Sequence, residues 1–427
     1  MSKVSVFKFG GASIKDAEGF KNVAGIIQSN NTDNNLMVIV SALGKTTNAL
    51  EKVVDAYFEK GDATGLLMKV KSDHLLIAEQ LIADTSNKIF TDLNNLFVEA
   101  DWLLEDDPHD EYDYVYDQIV SIGELASTKI LAAYMQSEKI NVQWLDVRDL
   151  IATDETWREG KVNWHLTEKN ISGKVLPVLQ NQIVLTQGFL GGTLNNQTTT
   201  LGREGSDYSA AIFSYCLNAD LQTIWKDVAG VLNADPRYFT STKKIDQLSY
   251  HEAIEMTFFG ATVIHPKTIK PLQNKHIPLH VKSFLKPKQS GTVISDHSQE
   301  VLPPVLVLKT NQVLLSISAI DFSFIAEENL SHIFSLFARH QSKMNLMQNA
   351  AISFSVSIDY SKTKTEALIN ELQQHYKVLH NDGLELLTIR HYTNEVLHEF
   401  TEGRKIFLEQ TIKDLKIIQN LLIYHYF

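Results

Sequence analysis

The residues of this chain best suited to chemistry begin with Lys8, which is followed closely by the adjacent glycines Gly10 and Gly11. An alternating apolar run from Val4 to Phe9 leads into the glycines and is typical of a buried strand. Glycines let a backbone approach a ligand closely, and their amides can form an anion-binding concavity beside the lysine. The stretch by itself predicts either a phosphate site at the end of a strand or an ordinary tight turn.

A second polar loop follows the wholly apolar run 36–40, which we predict to be a strand. Ser41 and Thr47 flank the letters GKT, which match the end of a P-loop pattern. The full pattern requires glycine where this chain has Ile39, so the loop cannot build that phosphate cradle. We therefore predict a polar loop at the carboxyl end of a strand, where open α/β sheets bind ligands.

The richest polar cluster lies at 188–207, where glycines interrupt a loop that runs into an apolar helix. Arg203 adds a planar fork suited to a carboxylate or a phosphate. Ser206 or Asp207 is expected to cap the helix, whose amino end presents unpaired amides.

Charged residues also follow the predicted strand 221–225. Lys226 and Asp227 come directly after it, and Arg237 lies ten residues further on. A lysine, an aspartate and an arginine beyond the end of a strand fit a site for nucleotide phosphates.

Carboxylates are concentrated in the run 105–117, which we predict to be a solvated loop because its spacing around Pro108 is irregular. Glu124 follows in a predicted helix that opens at Ser121 and continues through Tyr134. A carboxylate in a first helical turn suits the positive end of the helix dipole, so Glu124 alone has a structural explanation as well as a functional one.

Composition limits the classes of protein to consider. With 427 residues, two or three domains are expected. The formal charge of -12, from 39 basic and 51 acidic residues, argues against non-specific nucleic-acid binding. Cys216 is the one cysteine, which excludes disulfides and cysteine-based zinc sites within the chain. We expect a cytoplasmic protein with no export leader and no membrane span.

The pattern of elements predicts two kinds of architecture. Strands alternate with helices to about residue 297, which indicates an α/β fold with a mainly parallel sheet covered on both faces. Residues 289–304, which end in two prolines, are predicted to be a linker. Beyond them, 311–381 predicts a βαββαβ ferredoxin-like unit, and 384–427 predicts a further partial unit.

Four motifs in this order resemble those of the aspartate kinases: KFGGAS at 8–13, SIGE at 121–124, TLGREGSD at 200–207 and WKDVAGVLNADPR at 225–237. FFGATVIHPKT at 258–268 and SGTVI at 290–294 extend the resemblance, and the last third of the chain is similar to the amino-acid-sensing ACT domains of that family. The resemblance implies an amino acid kinase fold in residues 1–297 and an ACT regulatory region in residues 305–427. It also implies that ATP with Mg²⁺ phosphorylates the side-chain carboxylate of L-aspartate to 4-phospho-L-aspartate, the first step towards lysine, threonine and methionine.

The resemblance assigns roles to individual residues. Those expected to act in catalysis are Lys8, Gly10, Gly11 and Asp207. Those expected to bind the amino acid are Ser41, Thr47, Glu124, Arg203 and Asp207. Those expected to bind ATP are Lys8, Gly11, Lys226, Asp227, Gly230, Arg237 and Thr262. Mg²⁺ is expected on the ATP phosphates, without a metal site of protein ligands. The chemistry agrees, because a carboxylate with a pKa of about 3.9 needs no general base, so catalysis consists of positioning and charge neutralisation.

The sequence departs from the family pattern at residues expected to bind ATP and at residues expected to bind a regulatory amino acid. Lys226 stands where many relatives have threonine, and Thr262 stands where many have lysine, so we hypothesise that Lys226 takes over the lost phosphate contact. In the predicted loop 344–351, Ala350 and Ala351 offer no side-chain hydrogen bonds to an effector. The resemblance still implies a lysine or threonine effector, with Asn345, Gln348 and Asn349 as its candidate ligands, and a homodimer or larger homo-oligomer formed through the ACT region. Two alternatives stay open: a kinase of the same fold for another acidic amino acid or small carboxylate, and a catalytically silent amino-acid sensor.

Overall fold

The computed structural model describes residues 3–30, 35–261, 264–297, 299, 301–321, 323–412 and 415–421. These residues form two compact units. The first unit comprises Met1–Val231, Lys244–Ile254 and Val263–Gln299, and the second comprises Leu232–Lys243, Glu255–Thr262 and Glu300–Phe427. The assignment of residues 1–297 to catalysis and of 305–427 to regulation stays a prediction.

The first unit is built on a sheet with helices on its faces. Its strands are β1 (Ser5–Phe9), β2 (Leu36–Val40), β3 (Val142–Trp144), β4 (Ile183–Gln187), β5 (Leu190–Gly192), β6 (Thr198–Thr200), β7 (Leu221–Lys226), β8 (Gln247–Ser249), β9 (Leu279–Ser283) and β10 (Thr292–Ser295). The main sheet has the order β3-β4-β2-β1-β7-β9-β10-β8, and β5 pairs with β6 in a separate hairpin. Only the β9–β10 pair of the main sheet is antiparallel among the described residues, which confirms the predicted mainly parallel sheet.

The helices follow the strands in the order expected of a parallel sheet. They are α1 (Ala17–Asn30), α2 (Thr46–Phe58), α3 (Ala63–Leu81), α4 (Lys88–Leu104), α5 (Tyr112–Ser137), α6 (Trp164–Lys174), α7 (Leu176–Leu179), α8 (Gly205–Leu217), α9 (Tyr250–Phe259) and α10 (Pro266–Asn274). Among the helices of the described ranges, none is both long enough and apolar enough to cross a bilayer.

The central strands explain where polar groups converge. All five residues of β2 are buried, as strands covered on both faces require. Phe9 at the end of β1 pairs in register with Val40 of β2 and with Trp225 of β7, and its ring stacks on the Trp225 indole. The loops that leave β1, β2 and β7 therefore start side by side at one edge of the sheet.

The second unit contains one antiparallel sheet. Its elements are β11 (Val305–Ala319), α11 (Glu327–Arg339), β12 (Met344–Asn349), β13 (Ser353–Asp359), α12 (Lys362–Leu372), β14 (Tyr376–Arg390), α13 (Asn394–Thr401), β15 (Lys405–Ile412) and β16 (Leu415–Leu421). The sheet order is β12-β13-β11-β14-β16-β15. The βαββαβ order from β11 to β14 confirms the ferredoxin-like prediction, and apolar residues of α11 and α12 pack on one face of these strands.

The two longest strands, β11 and β14, lie at the centre of this sheet, between β12 and β13 on one side and β16 and β15 on the other. Before a register shift between Lys309 and Gln312, residues 305–309 of β11 pair with 386–390 of β14, which also pair with β16. After the shift, the rest of β11 pairs with 376–384 of β14. The separate strands predicted at 376–380 and 386–390 are wrong, because β14 runs unbroken through both. Val396, Leu397 and Phe400 of α13 pack against the buried residues Leu387 and Ile389 of β14 and Ile418 of β16.

Two loop predictions are also wrong. Thr292–Ser295, inside the predicted linker 289–304, form β10 and pair with β8 and β9. Met344–Asn349, inside the predicted effector loop, form the edge strand β12. Both segments are short strands whose polar residues conceal the alternation that identifies a strand in sequence.

Candidate active site

A cavity of about 650 Å³ opens in the first unit at the carboxyl ends of β1, β2 and β7. The predicted site residues on its wall are Lys8, Gly10, Gly11, Ser41, Thr47, Glu124, Arg203, Asp207, Lys226 and Asp227. Gly230 and Arg237 are not among its lining residues, and Thr262 lies outside the described residues. Loops that are far apart in sequence are thus brought together as the strand-end argument predicts.

A buried ion pair lies inside the cavity. Lys8 Nζ is 2.6 Å from Asp207 Oδ1, and the two side chains are 11% and 6% exposed. Burial opposes ionisation of Asp207, but Lys8 and then Lys226 hold the pKa of this carboxyl below its usual value. The aspartate is therefore a fixed negative charge beside the lysine.

The helix that carries Asp207 begins differently from the prediction. The residue that caps α8 is Glu204, which has a left-handed backbone with φ of 54° and makes no side-chain cap hydrogen bond. Ser206 and Asp207 are consequently inside the helix, and the prediction that one of them is the cap is wrong. The side chain of Glu204 instead accepts a hydrogen bond from the His265 amide.

Glu124 is a buried carboxyl in the middle of a long helix. α5 begins at Tyr112, more than three turns earlier, so the explanation by a first helical turn is wrong. Burial raises the pKa of Glu124 to about 8, although the Ala42 amide and the Lys8 charge act in the opposite direction. Its Oε2 atom has no hydrogen-bond partner among the described residues. A buried acid with an unsatisfied oxygen on a cavity wall is suited to receive a cationic ligand group.

Gly10 and Gly11 are glycines for different structural reasons. A Cβ on Gly11 would lie 2.6 Å from the carbonyl oxygens of Ala42 and Gly44, so the close packing of two loops requires glycine here. A Cβ on Gly10 would meet only Lys8 Nζ, at 3.5 Å. Gly10 thus keeps the space in front of the lysine open.

Sequence reasoning missed several charged and aromatic residues of the cavity wall: Glu51, Tyr116, Arg158 and Phe189. The Arg158 guanidinium lies 4.1 Å above the Tyr116 ring and within 3.3 Å of Glu51. Glu51 is one helical turn beyond Thr47, and Tyr116 is two turns before Glu124 on the same helix. Correct helix boundaries would have identified these two, whereas Arg158 carries no local sequence signal.

Some of the residues predicted to bind the nucleotide line the cavity and others do not. Lys226 ends β7 and Asp227 follows it on the cavity wall. Gly230 has φ of 151°, and a Cβ there would lie 2.5 Å from Thr292 Oγ1. Close packing therefore explains the glycine at this position. Arg237 belongs to the second unit, where it is exposed and paired with Asp235 at 2.6 Å.

The candidate effector residues lie in the second unit. Asn345 is engaged within the protein, because its Oδ1 accepts a hydrogen bond from Lys309 and its Nδ2 donates to Gln312 and Asp359. Gln348 and Asn349 are exposed on the edge strand β12. Across the residues whose placement is described, no three His, Cys, Asp or Glu side chains are grouped to hold a metal ion.

Comparisons with known proteins place this geometry in context. The model of the Amino acid kinase family matches residues 3–283. Lysine-sensitive aspartokinase 3 of Escherichia coli (strain K12) is 30% identical over 421 residues, which cover 95% of this chain and 91% of that protein. Two structures of E. coli aspartokinase III, one with lysine and aspartate (T-state) and one with aspartate and ADP (R-state), each give a TM-score of 0.83. In both, identity is 28%, with 98% of this chain and 96% of the other covered.

Proposed function

The chain belongs to the amino acid kinase family and, within it, to the aspartokinases, and we infer that it transfers the γ-phosphoryl group of ATP to the side-chain carboxylate of L-aspartate. The observation that carries this function is the pairing of Lys8 with Asp207 beside the buried Glu124 in one cavity. Such a cavity offers cationic groups to phosphate and carboxylate, and acidic groups to an ammonium. L-Aspartate bears both kinds of charge, and ATP supplies the phosphoryl group.

The amino acid is proposed to bind between α5 and the start of α8. Arg203 lines the cavity and would hold the α-carboxylate. Glu124 and Asp207 would share the ammonium, with Ser41 and Thr47 completing the wall. Neutral Glu124 would lose its proton on binding, since an ammonium favours the ionised form.

The nucleotide is proposed to lie at the Lys226 and Asp227 end of the same cavity. Lys8 and the open space at Gly10 would face the transferring group, where negative charge must be neutralised. Roles for Gly230, Arg237 and Thr262 in nucleotide binding stay predictions, as does the replacement of a lysine at 262 by Lys226.

Mg²⁺ suits this donor set when the ATP phosphates provide most of its ligands. Mg²⁺ on a nucleotide needs only one or two protein carboxylates, and Asp227 lines the nucleotide end of the cavity. The ion would neutralise the charge of the β- and γ-phosphates.

The reaction then needs no proton transfer by the protein. An ionised carboxylate oxygen of aspartate bonds to the γ-phosphorus as the bond to the β-γ bridging oxygen breaks, and ADP takes the electron pair. Arg203, Glu124 and Asp207 fix the direction of the substrate, and Lys8 stabilises the oxygens of the phosphoryl group in flight.

Regulation and assembly are proposed by analogy with the relatives. The E. coli relative is named as lysine-sensitive, and one of its structures contains lysine. We propose an effector of the lysine or threonine type near Gln348, Asn349 and Asn345, and a homo-oligomer formed through the second unit. The cytoplasm suits a chain with one cysteine.

A substrate panel tests the proposed function. ADP release is measured with MgATP and L-aspartate, L-glutamate, succinate (no amino group) or β-alanine (no α-carboxylate). Aspartate should give turnover well above the other three, because only it meets all the proposed contacts. Turnover with glutamate alone, or no ADP above background with any of the four, would reject the proposal.

A further inference from the structure

Asp117 is a fully buried carboxylate that the proposed chemistry does not use. It lies in α5, two turns before Glu124, and its side chain is shielded from solvent. The sequence placed it at the end of a solvated acidic loop, and that prediction is wrong. Burial raises the pKa of Asp117 to about 6, which leaves the group largely ionised at neutral pH.

The oxygens of Asp117 join two separate segments of the cavity wall to the helix. Oδ2 accepts hydrogen bonds from the Arg158 amide at 2.9 Å and the Thr200 amide at 3.0 Å. Oδ1 accepts a third from the Thr200 hydroxyl at 2.7 Å. The two segments also meet directly, because the Gly160 amide donates to the Thr200 carbonyl at 2.8 Å.

Both segments carry cations into the cavity. Arg158 has a left-handed backbone with φ of 61°, a conformation that is uncommon for residues other than glycine. Its guanidinium lines the cavity beside Tyr116. Thr200 ends β6 and lies three residues before Arg203, which lines the same cavity. One buried carboxylate therefore sets where both arginines leave the backbone.

We propose that Asp117 is a positioning residue for the amino-acid end of the cavity, holding the segments of Arg158 and Arg203 in the geometry that binds the substrate carboxylate. The proposal rests on the proposed function for the identity of the substrate. It assigns no contact between Asp117 and the substrate itself. Hydrogen bonds to a buried charge are among the stronger ones, so their loss should displace both arginines from their positions in the cavity.

The neighbouring residue offers a matched control. Gln118 also ties β6 to α5, because its Nε2 donates to the Thr198 carbonyl at 2.8 Å and its Oε1 accepts from the Thr198 amide at 3.1 Å. Gln118→Ala thus removes two hydrogen bonds between the same helix and strand, at the end of the strand away from Arg203. It measures the effect of loosening β6 without releasing Thr200.

Asp117→Asn and Asp117→Ala separate positioning from general stability. In Asp117→Asn the amide oxygen can accept from both backbone amides, and the NH₂ group can donate to the Thr200 hydroxyl, so the geometry is kept. We expect the KM for aspartate to stay within about threefold of wild type in Asp117→Asn and to rise at least about tenfold in Asp117→Ala. The KM for ATP should change much less, and Gln118→Ala should lower Tm without the rise in aspartate KM.

The outcomes distinguish this proposal from the proposed function. If the wild-type protein does not turn over aspartate, the function itself fails. If wild type is active and Asp117→Ala leaves the aspartate KM unchanged, or raises the KM values for aspartate and ATP equally, the positioning role is overturned. Should Asp117→Ala not fold, Thr200→Val decides the question: it removes the hydroxyl bond alone, and an unchanged aspartate KM in that variant overturns the proposal.

Discussion

Lys8 Nζ lies 2.6 Å from Asp207 Oδ1, so a buried ion pair joins the first strand to the first turn of α8 inside the cavity. Removing one partner of such a pair leaves an uncompensated buried charge. Both groups are proposed to meet ligands, Lys8 the phosphoryl group and Asp207 the substrate ammonium. The pair thus joins the phosphoryl-binding group to the ammonium-binding group before either ligand binds.

Replacing Lys8 should abolish most turnover. Lys8→Met keeps much of the side-chain volume but removes the charge, and we expect kcat to fall at least about 100-fold because one preorganised cation is lost from the transition state. Steady-state ADP release measures this, and circular dichroism checks the fold. A Lys8→Met protein with near-normal kcat would remove Lys8 from the catalytic assignment.

Lys226 should affect the nucleotide rather than the amino acid. If it has taken over a phosphate contact, Lys226→Ala should raise the KM for ATP by about tenfold or more, as expected for a lost charged hydrogen bond. The KM for aspartate serves as the internal control and should change little. Normal ATP affinity in this variant would contradict the hypothesis that the cation has moved from position 262.

Glu124 predicts a pH-dependent stability difference. Its pKa rises from 4.5 to about 8 on folding, so between these values the folded chain binds more protons than the unfolded chain. Wild-type stability from this group is therefore full at low pH and is lost as pH rises towards 8. Glutamine does not titrate, so the unfolding free energy of Glu124→Gln minus that of wild type should grow from pH 5 to pH 8 in urea titrations. A flat or falling difference would show that Glu124 is not protonated in the folded protein.

Aspartate binding should release a proton. At pH 7 the folded protein holds Glu124 largely neutral, and an ammonium placed beside it favours the carboxylate. Calorimetry in two buffers with different ionisation enthalpies should give different binding heats for wild type and equal heats for Glu124→Gln. Buffer-independent heats in the wild type would argue against Glu124 as a ligand of the ammonium.

Much of the site could be predicted because strand ends are visible in sequence. Lys8, Ser41 and Lys226 each follow or lie near the end of an apolar run, and parallel strands bring such loops to one edge of the sheet. Arg203 was identified instead from its glycine-interrupted loop, which follows β6 of the separate hairpin. The same logic predicted the alternating order of elements in the first unit and the βαββαβ order in the second.

Other features depend on burial in the tertiary structure and could not be predicted from the local sequence. The start of α5 lies within an acidic run whose charges resemble a solvated loop. Asp117 is nevertheless buried there, and its carboxylate accepts hydrogen bonds from Arg158 and Thr200. Misplacing that start also misplaced Glu124 in its helix. The strand β14 crosses polar residues from His380 to Gly383 that read as a turn, and its continuity depends on pairing with β11.

The most direct test of the central claim is to trap the product. Wild-type protein is incubated with MgATP, L-aspartate and hydroxylamine, and the hydroxamate is identified by mass spectrometry against synthetic α- and β-hydroxamates of aspartate. We expect β-aspartyl hydroxamate in amounts that match the ADP formed, and no more than background with Lys8→Met. ADP formation without hydroxamate, α-hydroxamate as the product, or hydroxamate from glutamate alone would contradict phosphorylation of the aspartate side chain at this site.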